Sequence, residues 1–214
     1  MAATLSLDNS LTTVIIIFEV LPELQQKLIE AIKNFTQTVK TQPGFVSANL
    51  HQSIDGVKVA NYAQWESSKA YQAFIANTEV QAQAEGLLKL GKPDSQVYEI
   101  VASESKVGTP KIVERQYFAH FAEFRMSSDK QPRMVELAKE HIKPAMKQKG
   151  LVSATFHRSL DGTRVINYGH WENKEAIEEL QKQPGFNTQK SPYWEGVAEN
   201  EFHLYEVVYT ETAA

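Results

Sequence analysis

The sequence predicts an α+β protein made of two similar units, each an antiparallel sheet with two helices on one face. The first observation is a duplication: "GFVSANLHQSIDGVKVANYAQWE" (44–66) aligns without gaps on "GLVSATFHRSLDGTRVINYGHWE" (150–172), and 13 of 23 positions are identical. The two copies lie 106 positions apart. A solenoid repeat spans only about 20–50 residues, so this spacing indicates a duplicated domain. The second observation is the order strand, helix, strand, strand, helix, strand in each half. That order is typical of a ferredoxin-like unit.

The composition is that of a globular protein and argues against several partners. The 214 residues are 42% hydrophobic, with a formal net charge of −4 and a pI near 5.9. Such a chain lacks the basic surface that nucleic acids and anionic membranes attract, and no apolar run is long enough to cross a bilayer. The absence of Cys excludes disulfides, thiolate nucleophiles and Cys-based metal sites. The N-terminus lacks a signal-peptide pattern, so we expect a cytoplasmic protein with no nucleic-acid and no membrane partner.

In the first half, each element follows from a local pattern. The β-branched run "TVIIIFEV" predicts a strand that ends before Pro22. Pro22 suits the first turn of a helix, and apolar residues then recur at helical spacing: Leu24, Leu28, Ile32, Phe35 and Val39. Gly44 returns the chain to a strand, "SSKAYQAF" predicts the second helix, and the last strand contains Tyr98.

The second half repeats these signals after a seam of small and turn-forming residues. Pro132 again lies near the start of a helical pattern, "NKEAIEEL" predicts the second helix, and "LYEVV" around Tyr205 resembles "VYEIV" of the first half. Between the halves, "ASESKVGTPK" (102–111) clusters Ser, Gly and Pro, which favours a linker. We therefore predict two domains, at 1–104 and 112–214.

A hairpin signal fixes which side chains share a face of the sheet. Asp55-Gly56 predicts a two-residue type I′ turn, which needs positive φ at both central residues. Paired residues then have numbers that sum to 111 (55 + 56), and residues directly opposite each other lie on one side of the sheet. The expected helix-covered face follows: Val46, Ala48, Leu50, Val59, Asn61, Ala63 and Trp65. The second half gives the equivalent face: Val152, Ala154, Phe156, Val165, Asn167, Gly169 and Trp171.

One polar side chain on each apolar face marks a candidate site. Asn61 and Trp65, and likewise Asn167 and Trp171, are four residues apart with one small residue between them on the face. The small residue leaves a recess between an amide and an indole that suits a planar ring. A buried amide without a partner costs about 1–3 kcal/mol, which favours either a local partner or a use in binding. Two structural explanations stay open: each Asn bonds a loop or helix end, and each Trp fills the core.

These stretches resemble the antibiotic biosynthesis monooxygenase domain of the dimeric α/β-barrel superfamily. The resemblance rests on "PGFVSANLHQSIDG" with "VANYAQWESSKAYQAF" in the first half and on "GLVSATFHRSLDG" with "VINYGHWENKEAI" in the second. In that family two ferredoxin-like units place their sheets face to face, so the resemblance implies an internal dimeric α/β barrel, an internal pseudo-dimer. The other sheet faces then form the interface between the halves: Asn49, His51, Tyr62, His157, Tyr168 and His170. Further homo-oligomerisation is left open.

The resemblance also implies an activity and its residues. Some members of the family oxidise polycyclic phenols to quinones with O2 and without metal or flavin. The implied partners are therefore a small aromatic substrate and O2, with no cofactor and no metal. The Asn and Trp of those members match Asn61 and Trp65 here, and a helix Tyr matches Tyr71. The second half keeps the Asn and Trp but has Ile177 in place of that Tyr, so we expect unequal pockets, with the first half as the active one.

Further residues complete the candidate site. His141 falls on the apolar face of the second half's first helix, where we expect it to face Asn167 and Trp171 and to act as a general base. The alternative is a histidine near a helix end, disturbed by Pro144, that bonds a carbonyl. Substrate contacts are expected from three apolar residues: Phe35, Leu50 and Phe156.

Two classes of function stay open, and the sequence does not decide whether the protein is an enzyme. One is a cofactor-independent monooxygenase that oxidises a phenolic, quinol or polycyclic aromatic substrate with O2. The other is a non-catalytic or regulatory ligand-binding protein on the same scaffold. A sister group opens haem with an Asn, a Trp and a second-helix His. The segments 66–77 and 172–183 after each Trp contain no His, so we discount haem degradation.

Overall fold

The structure is a computed structural model that describes residues 3–183 and 194–213. The elements of the first half are β1 (Thr12–Val20), α1 (Pro22–Val39), β2 (Phe45–Ser53), β3 (Lys58–Trp65), α2 (Ser68–Ala76), α3 (Thr78–Leu88) and β4 (Gly91–Ser105). The elements of the second half are β5 (Phe118–Arg125), α4 (Gln131–Ala145), β6 (Leu151–Ser159), β7 (Arg164–Trp171), α5 (Lys174–Gln181) and β8 (Glu199–Thr212).

Within the described residues, eight strands close into one antiparallel barrel in the order β1-β3-β2-β8-β5-β7-β6-β4. The last strand of each half is shared between the halves. Strand β4 pairs with β1 of its own half and with β6 of the other, and β8 pairs with β5 and with β2. The predicted α+β class, with two ferredoxin-like units forming an internal barrel, is therefore confirmed.

The barrel interior is filled with aromatic and histidine side chains from both halves. His51 Nδ1 lies 3.0 Å from the Asn49 carbonyl and donates to it, so Nε2 accepts a hydrogen bond from Tyr168 Oη at 2.9 Å. In the equivalent contact, Tyr62 Oη and His157 Nε2 lie 3.0 Å apart. Both contacts join one half to the other, and all five residues are fully buried. The prediction that this face forms the interface between the halves is confirmed.

The helices cover the outer faces of the sheets. Helix α1 packs on the first sheet in one apolar cluster: Phe18, Leu28, Ile32, Leu50 and Val59. Helix α4 forms the equivalent cluster: Phe124, Met134, Ala138, Phe156 and Val165. The faces that carry Asn61 and Asn167 are therefore covered by helices, as predicted. Helix α3 was not predicted. None of the helices in the described ranges is long and apolar enough to cross a membrane.

The register of each hairpin agrees with the prediction, but the turn type does not. Cross-strand partners in the middle of the first hairpin have numbers that sum to 111, for example 50 and 61. Only Gly56, with a φ of 84°, has positive φ there, and Asp55 does not, so the turn is not type I′. The strands instead end at Ser53 and restart at Lys58. Those two numbers also sum to 111, so the longer turn leaves the register unchanged.

A β-bulge displaces one predicted face residue in each half. Phe45 rather than Val46 pairs with Trp65, because the register shifts between residues 45 and 47. The second half has the same bulge, and Leu151 takes the place expected for Val152. The prediction that Val46 and Val152 face the two tryptophans was wrong. A bulge adds one residue to one strand, and a register extended from the turn does not include it.

The connection between the halves starts later than predicted. Residues 102–105 continue β4, so the stretch 102–111 is only in part a linker. The chain beyond β4 packs with the N-terminal segment into the barrel core. Ala3, Leu5 and Ile112 are buried with the interior aromatic residues, and Ile112 N donates to Ala3 O at 2.9 Å. Ala3, Leu5 and Ile112 thus extend the core of the barrel, while residues 106–109 and 113–116 of the connection are exposed.

Candidate active site

Asn61 is held on the outer face of the first sheet without a hydrogen-bond partner. It lies on β3 between its cross-strand neighbours Ile16 and Leu50. Its Oδ1 is buried and accepts no hydrogen bond, and no bond from its Nδ2 is found within residues 3–183 and 194–213. The residue as a whole is only partly buried. The structural explanation, in which the amide bonds a loop or a helix end, is therefore not supported.

Trp65 forms the aromatic end of the first recess. It is 1% exposed and packs edge-on against Phe45, with ring centroids 5.5 Å apart. From α2, Phe74 stacks on it at 4.8 Å with an interplanar angle of 29°, and Tyr71 lies 5.8 Å away. These contacts fix the indole ring, so it is both a part of the core and a rigid wall of the recess.

Tyr71 brings a hydroxyl group to the recess from α2. The helix starts after Ser67, whose side chain caps its N-terminus. This start places Tyr71 against Trp65, half-buried, with its oxygen interacting with the Ser95 side chain on β4. Burial raises the pKa of Tyr71 above its ordinary value. The hydroxyl therefore stays protonated near neutral pH and serves as a hydrogen-bond donor rather than as a base.

Apolar side chains close the rest of the first recess. Phe35 of α1 lies with its ring centroid 6.5 Å from that of Phe74 and packs against both apolar clusters that flank Asn61. Ile16 of β1 packs against the same two clusters. Leu50 is 0% exposed and supports the floor of the recess, and its contact with a substrate stays a prediction.

The first recess suits an elongated aromatic ligand. A strand rises about 3.3 Å per residue, so the Cα atoms of Asn61 and Trp65 lie about 13 Å apart. A ligand that touches both side chains must be longer than one ring. The carboxamide offers a donor and an acceptor, the Tyr71 hydroxyl offers a donor, and the walls are aromatic or aliphatic. None of the described residues named as lining this recess is a carboxylate or a histidine.

The second half keeps the amide and the indole but differs around them. Asn167 also has a buried Oδ1 without a partner, and Trp171 is 1% exposed. Ile177, at the position of Tyr71, is 0% exposed and packs with Trp171 in an apolar cluster. Phe156 is 4% exposed within the α4 cluster, so it supports the floor there.

A histidine that the sequence analysis did not select fills the second recess. His120 of β5 pairs with Gly169, at the position where β1 has Val14. A Cβ added to Gly169 would lie 2.2 Å from the imidazole, so the ring lies directly over the glycine. The predicted open recess between Asn167 and Trp171 was therefore wrong for the second half. The available signal was the His and Gly on neighbouring strands in place of the Val and Ala of the first half.

The Trp171 indole fixes the tautomer of His120. An indole N–H only donates, and Trp171 Nε1 donates to His120 Nδ1 at 2.7 Å. The proton of the neutral imidazole is therefore on Nε2. Burial, with a smaller contribution from nearby His170, lowers the pKa of His120 to about 3. At neutral pH this histidine is a neutral hydrogen-bond donor and not a general base.

His141 lies on the covered face of α4, beside a tryptophan that the sequence analysis did not consider. Met134 and Ala138 of the same face are buried against the sheet, as predicted. The His141 ring is partly buried and lies 5.8 Å from the Trp194 ring, at an interplanar angle of 83°. Its role as a general base for the second recess stays a prediction.

Charged side chains gather near the hairpin ends of β3 and β5. Lys58 is 4% exposed and pairs with Glu201 at 3.2 Å, and Arg125 pairs with Glu123 at 3.0 Å. Burial raises the pKa of the Glu123 carboxyl. In the part of the chain that the structure describes, no group of three or more His, Cys, Asp or Glu residues is arranged to hold a metal ion.

Known proteins resemble the chain in sequence and in fold. The sequence profile of the family described as antibiotic biosynthesis monooxygenase matches residues 12–86 and 118–189. Tetracenomycin-F1 monooxygenase of Streptomyces glaucescens is 36% identical over 92 residues, which cover 42% of this chain and 82% of that protein.

Among solved structures, an anthrone oxidase-like protein superposes with a TM-score of 0.87 at 21% identity, over 99% of this chain and 97% of the other. A major regulator of staphylococcal pathogenesis superposes with a TM-score of 0.53 at 11% identity, over 92% and 99% of the two chains. At these identities both show a shared fold only. The two profile matches cover one segment in each half of the barrel, and the chain therefore belongs to the antibiotic biosynthesis monooxygenase family.

Proposed function

We propose that the chain is a cofactor-independent monooxygenase that oxidises a phenolic, quinol or polycyclic aromatic substrate with O2 in the first recess. The observation that carries the proposal is the Asn61 carboxamide. It lies under the helices with no partner, beside Trp65 and the neutral Tyr71 hydroxyl. An unpartnered buried amide costs about 1–3 kcal/mol, so a ligand that bonds it recovers stability that the empty fold lacks.

The overall reaction balances with the substrate as the only reductant. In a phenol with a reactive CH2 group in the ring system, that carbon loses a proton to solvent and the anion is delocalised onto the phenolic oxygen. The carbon then forms a bond to O2, and the resulting peroxide takes up a proton. Cleavage of the O–O bond with loss of the second C–H hydrogen gives a carbonyl and water. The carbon supplies all four electrons that O2 accepts, one oxygen atom enters the product, and the other leaves as water.

The residues of the first recess have separate roles in this proposal. Tyr71 donates a hydrogen bond to the substrate oxygen that gains charge, because burial keeps its hydroxyl protonated. The Asn61 amide can donate to the peroxide or to the second substrate oxygen. Trp65 holds the ring plane, since its own ring is fixed by Phe45 and Phe74. The apolar walls keep competing water away from these bonds.

The relatives support the general kind of reaction. The Streptomyces glaucescens protein, of which this chain covers 82%, is a monooxygenase by name, and its name indicates a substrate of the tetracenomycin series. We extend to this chain only the class of a multi-ring phenolic substrate. The length of the recess, with about 13 Å between the Cα atoms of Asn61 and Trp65, is consistent with that class.

Oxygen uptake by metal-free protein tests the proposal. The substrates are a panel of hydroquinones and anthrones, with product carbonyls followed by absorbance and mass. The expected result is uptake of one O2 per carbonyl formed, above the rate of autoxidation in buffer, with label from 18O2 in the product. Uptake no faster than that buffer rate for every multi-ring compound would contradict the proposal.

The two asparagines are expected to respond unequally to substitution. Asn61→Ala should lower kcat/KM for carbonyl formation by about 10- to 100-fold, because one hydrogen bond in a dry pocket contributes roughly 1–3 kcal/mol. Asn167→Ala is the matched control at the equivalent position and should change kcat/KM by less than about threefold. A large loss only from Asn167→Ala would move the active site to the second half and to His141.

A ligand-binding protein without catalysis is the second candidate. The second half favours it in part, because Ile177 replaces the hydroxyl of Tyr71 and His120 covers Gly169. Tight binding of a multi-ring phenol or quinone by the unmodified chain, with no oxygen uptake, would select this candidate.

A further inference from the structure

The two recesses differ at three positions on adjacent strands. Where the first half has Val14, Ala63 and Ser95, the second has His120, Gly169 and Phe202. The structure makes these positions equivalent, because Ile16 pairs with Asn61 and Ser95 in one half and Ala122 pairs with Asn167 and Phe202 in the other. The duplication therefore provides an internal comparison of an open and an altered recess.

His120 and Phe202 form one packed unit in the second recess. Their ring centroids lie 5.2 Å apart at an interplanar angle of 32°. His120 lies over Gly169 and is bonded by Trp171. Phe202 packs against both apolar clusters of this half, the one under α4 and the one around Trp171.

In the first recess, the equivalent residues do not form such a packed pair of rings. Ser95 is not part of either apolar cluster there, and its hydroxyl interacts with Tyr71. Trp65 makes ring contacts to Phe45, Tyr71 and Phe74, and no hydrogen bond from its Nε1 is found in the described ranges. The indole N–H that His120 engages in the second half is thus available in the first.

We propose that His120 and Phe202 occupy the second recess as a built-in pair of rings, and that they limit the chain to one planar aromatic ligand, bound in the first half. These two residues determine which half binds the ligand. The imidazole accepts the hydrogen bond of the Trp171 indole. The two rings fill the space next to Asn167, and the ligand fills the equivalent space next to Asn61 in the first half. The inference rests on the proposed function for the planar multi-ring ligand and for its site in the first half.

A titration with a hydroxylated anthraquinone tests the stoichiometry without requiring turnover. Calorimetry on the unmodified chain should give one site per chain. Asn61→Ala should weaken that site at least tenfold, and Asn167→Ala should leave it within threefold. The double variant H120V/F202S places the residues of the first half into the second, and it should bind two ligands per chain. Adding Asn167→Ala to that variant should remove the second site.

A ligand-free measurement tests the packed unit itself. The chain has three Trp residues, so a nitrogen-proton spectrum shows three indole signals that substitution assigns. The Trp171 N–H should exchange with solvent at least tenfold more slowly than the Trp65 N–H. His120→Val should remove that protection, while Phe202→Leu, which keeps an apolar side chain, should retain it. Equal exchange of Trp65 and Trp171 in the unmodified chain would overturn the inference, even if H120V/F202S does not fold.

The titration separates this inference from the proposed function. Two equal sites in the unmodified chain, or one site both in the unmodified chain and in a folded H120V/F202S variant, would overturn the inference and leave the first-half site intact. No binding by the unmodified chain, with one site in H120V/F202S that needs Asn167, would contradict the proposed function and the site in the first half. It would support the other part of the inference, that His120 and Phe202 close the second recess. No binding by any variant would contradict both.

Discussion

At the scale of single residues, the two halves show how similar side chains acquire different chemistry. Asn61 and Asn167 both have a buried oxygen without a partner, at a cost of about 1–3 kcal/mol each. What differs is the neighbouring polar group. Tyr71 supplies a neutral hydroxyl in the first half, and His120, already bonded by Trp171, supplies an Nε2–H in the second. The environment and not the repeated motif sets what each recess can bind.

Tyr71→Phe isolates the contribution of one hydroxyl. The ring contacts with Trp65 and Phe74 remain, so the fold and the aromatic wall are kept. We expect kcat for oxygen-dependent carbonyl formation to fall about tenfold, equivalent to one hydrogen bond of roughly 1–1.5 kcal/mol to a developing charge. The control is Ile177→Val at the equivalent position, which should leave kcat unchanged. An unaltered kcat in Tyr71→Phe would show that the hydroxyl does not touch the reacting oxygen.

At the scale of elements, each long helix is joined to its hairpin by one buried glutamine. Gln25 Nε2 donates to Ser53 O and to Lys58 O, both at 2.9 Å. Gln131 makes the same pair of bonds to the second hairpin. Each glutamine thus satisfies the carbonyl groups at the strand ends, where a longer turn replaces the expected two-residue turn. The contact fixes the helix over the recess, because the same hairpin carries the Asn and the Trp.

Gln25→Ala should destabilise the fold by about 1–3 kcal/mol, because it leaves the Lys58 carbonyl without a donor and the Ser53 carbonyl with only the Gly56 N–H. Its neighbour Gln26 provides the control, since it is exposed and bonds only Glu30 on the same helix. Gln26→Ala should change the free energy of unfolding by less than about 0.5 kcal/mol. Urea unfolding followed by circular dichroism measures both. Equal effects of the two substitutions would show that the bond to the hairpin contributes little.

At the scale of the whole molecule, the barrel is closed by exchange of strands and holds buried, neutral histidines on both faces of its sheet. Burial lowers the pKa of His51 and His120 to about 3 and that of His157 and His170 to about 4. In the unfolded chain the pKa of each histidine is near 6.5. The folded state therefore binds fewer protons than the unfolded state below about pH 6.5, so its stability is complete above that pH and is lost as the pH falls toward 3–4.

The free energy of unfolding should consequently fall steeply between about pH 6.5 and 4.5. Four histidines contribute up to about 1.4 kcal/mol each per pH unit, or about 5.6 kcal/mol per pH unit together. Glu123 acts in the opposite sense, because its raised pKa lets the folded state bind a proton there. Glu123 is a single group, so it can offset at most the contribution of one histidine to the slope. Urea titrations across this range measure the slope.

His157→Gln provides the control for the pH dependence. Glutamine can still bond Tyr62 Oη but does not titrate, so the slope should decrease by about 1.4 kcal/mol per pH unit. A slope that stays the same in this variant would mean that His157 is not neutral in the folded barrel.

Much of the fold was predictable from the sequence because its signals are local and occur twice. The repeat showed two units, the glycine turns and β-branched runs placed the hairpin strands, and the period of two put Asn61 and Trp65 on one helix-covered face. The same alternation put His51, Tyr62, His157 and Tyr168 on the inner face. The amide and the indole could be grouped as a site for the same reason, because register is a property of short segments. Tyr71 was added only by the resemblance to the family.

What only the tertiary structure decided depends on contacts between distant segments. The bulges at Val46 and Val152 lie within the two hairpins, where one strand carries an extra residue against its neighbour. The sharing of β4 and β8 joins strands of different halves. No local pattern encodes either feature. His120 stood in the sequence as one histidine in an apolar strand, 51 positions from the tryptophan that bonds it. Its rotamer and the absence of a side chain at Gly169 together fill the second recess. Sequence alone thus determined which groups face the helices, and packing between strands decided which of the two recesses is open.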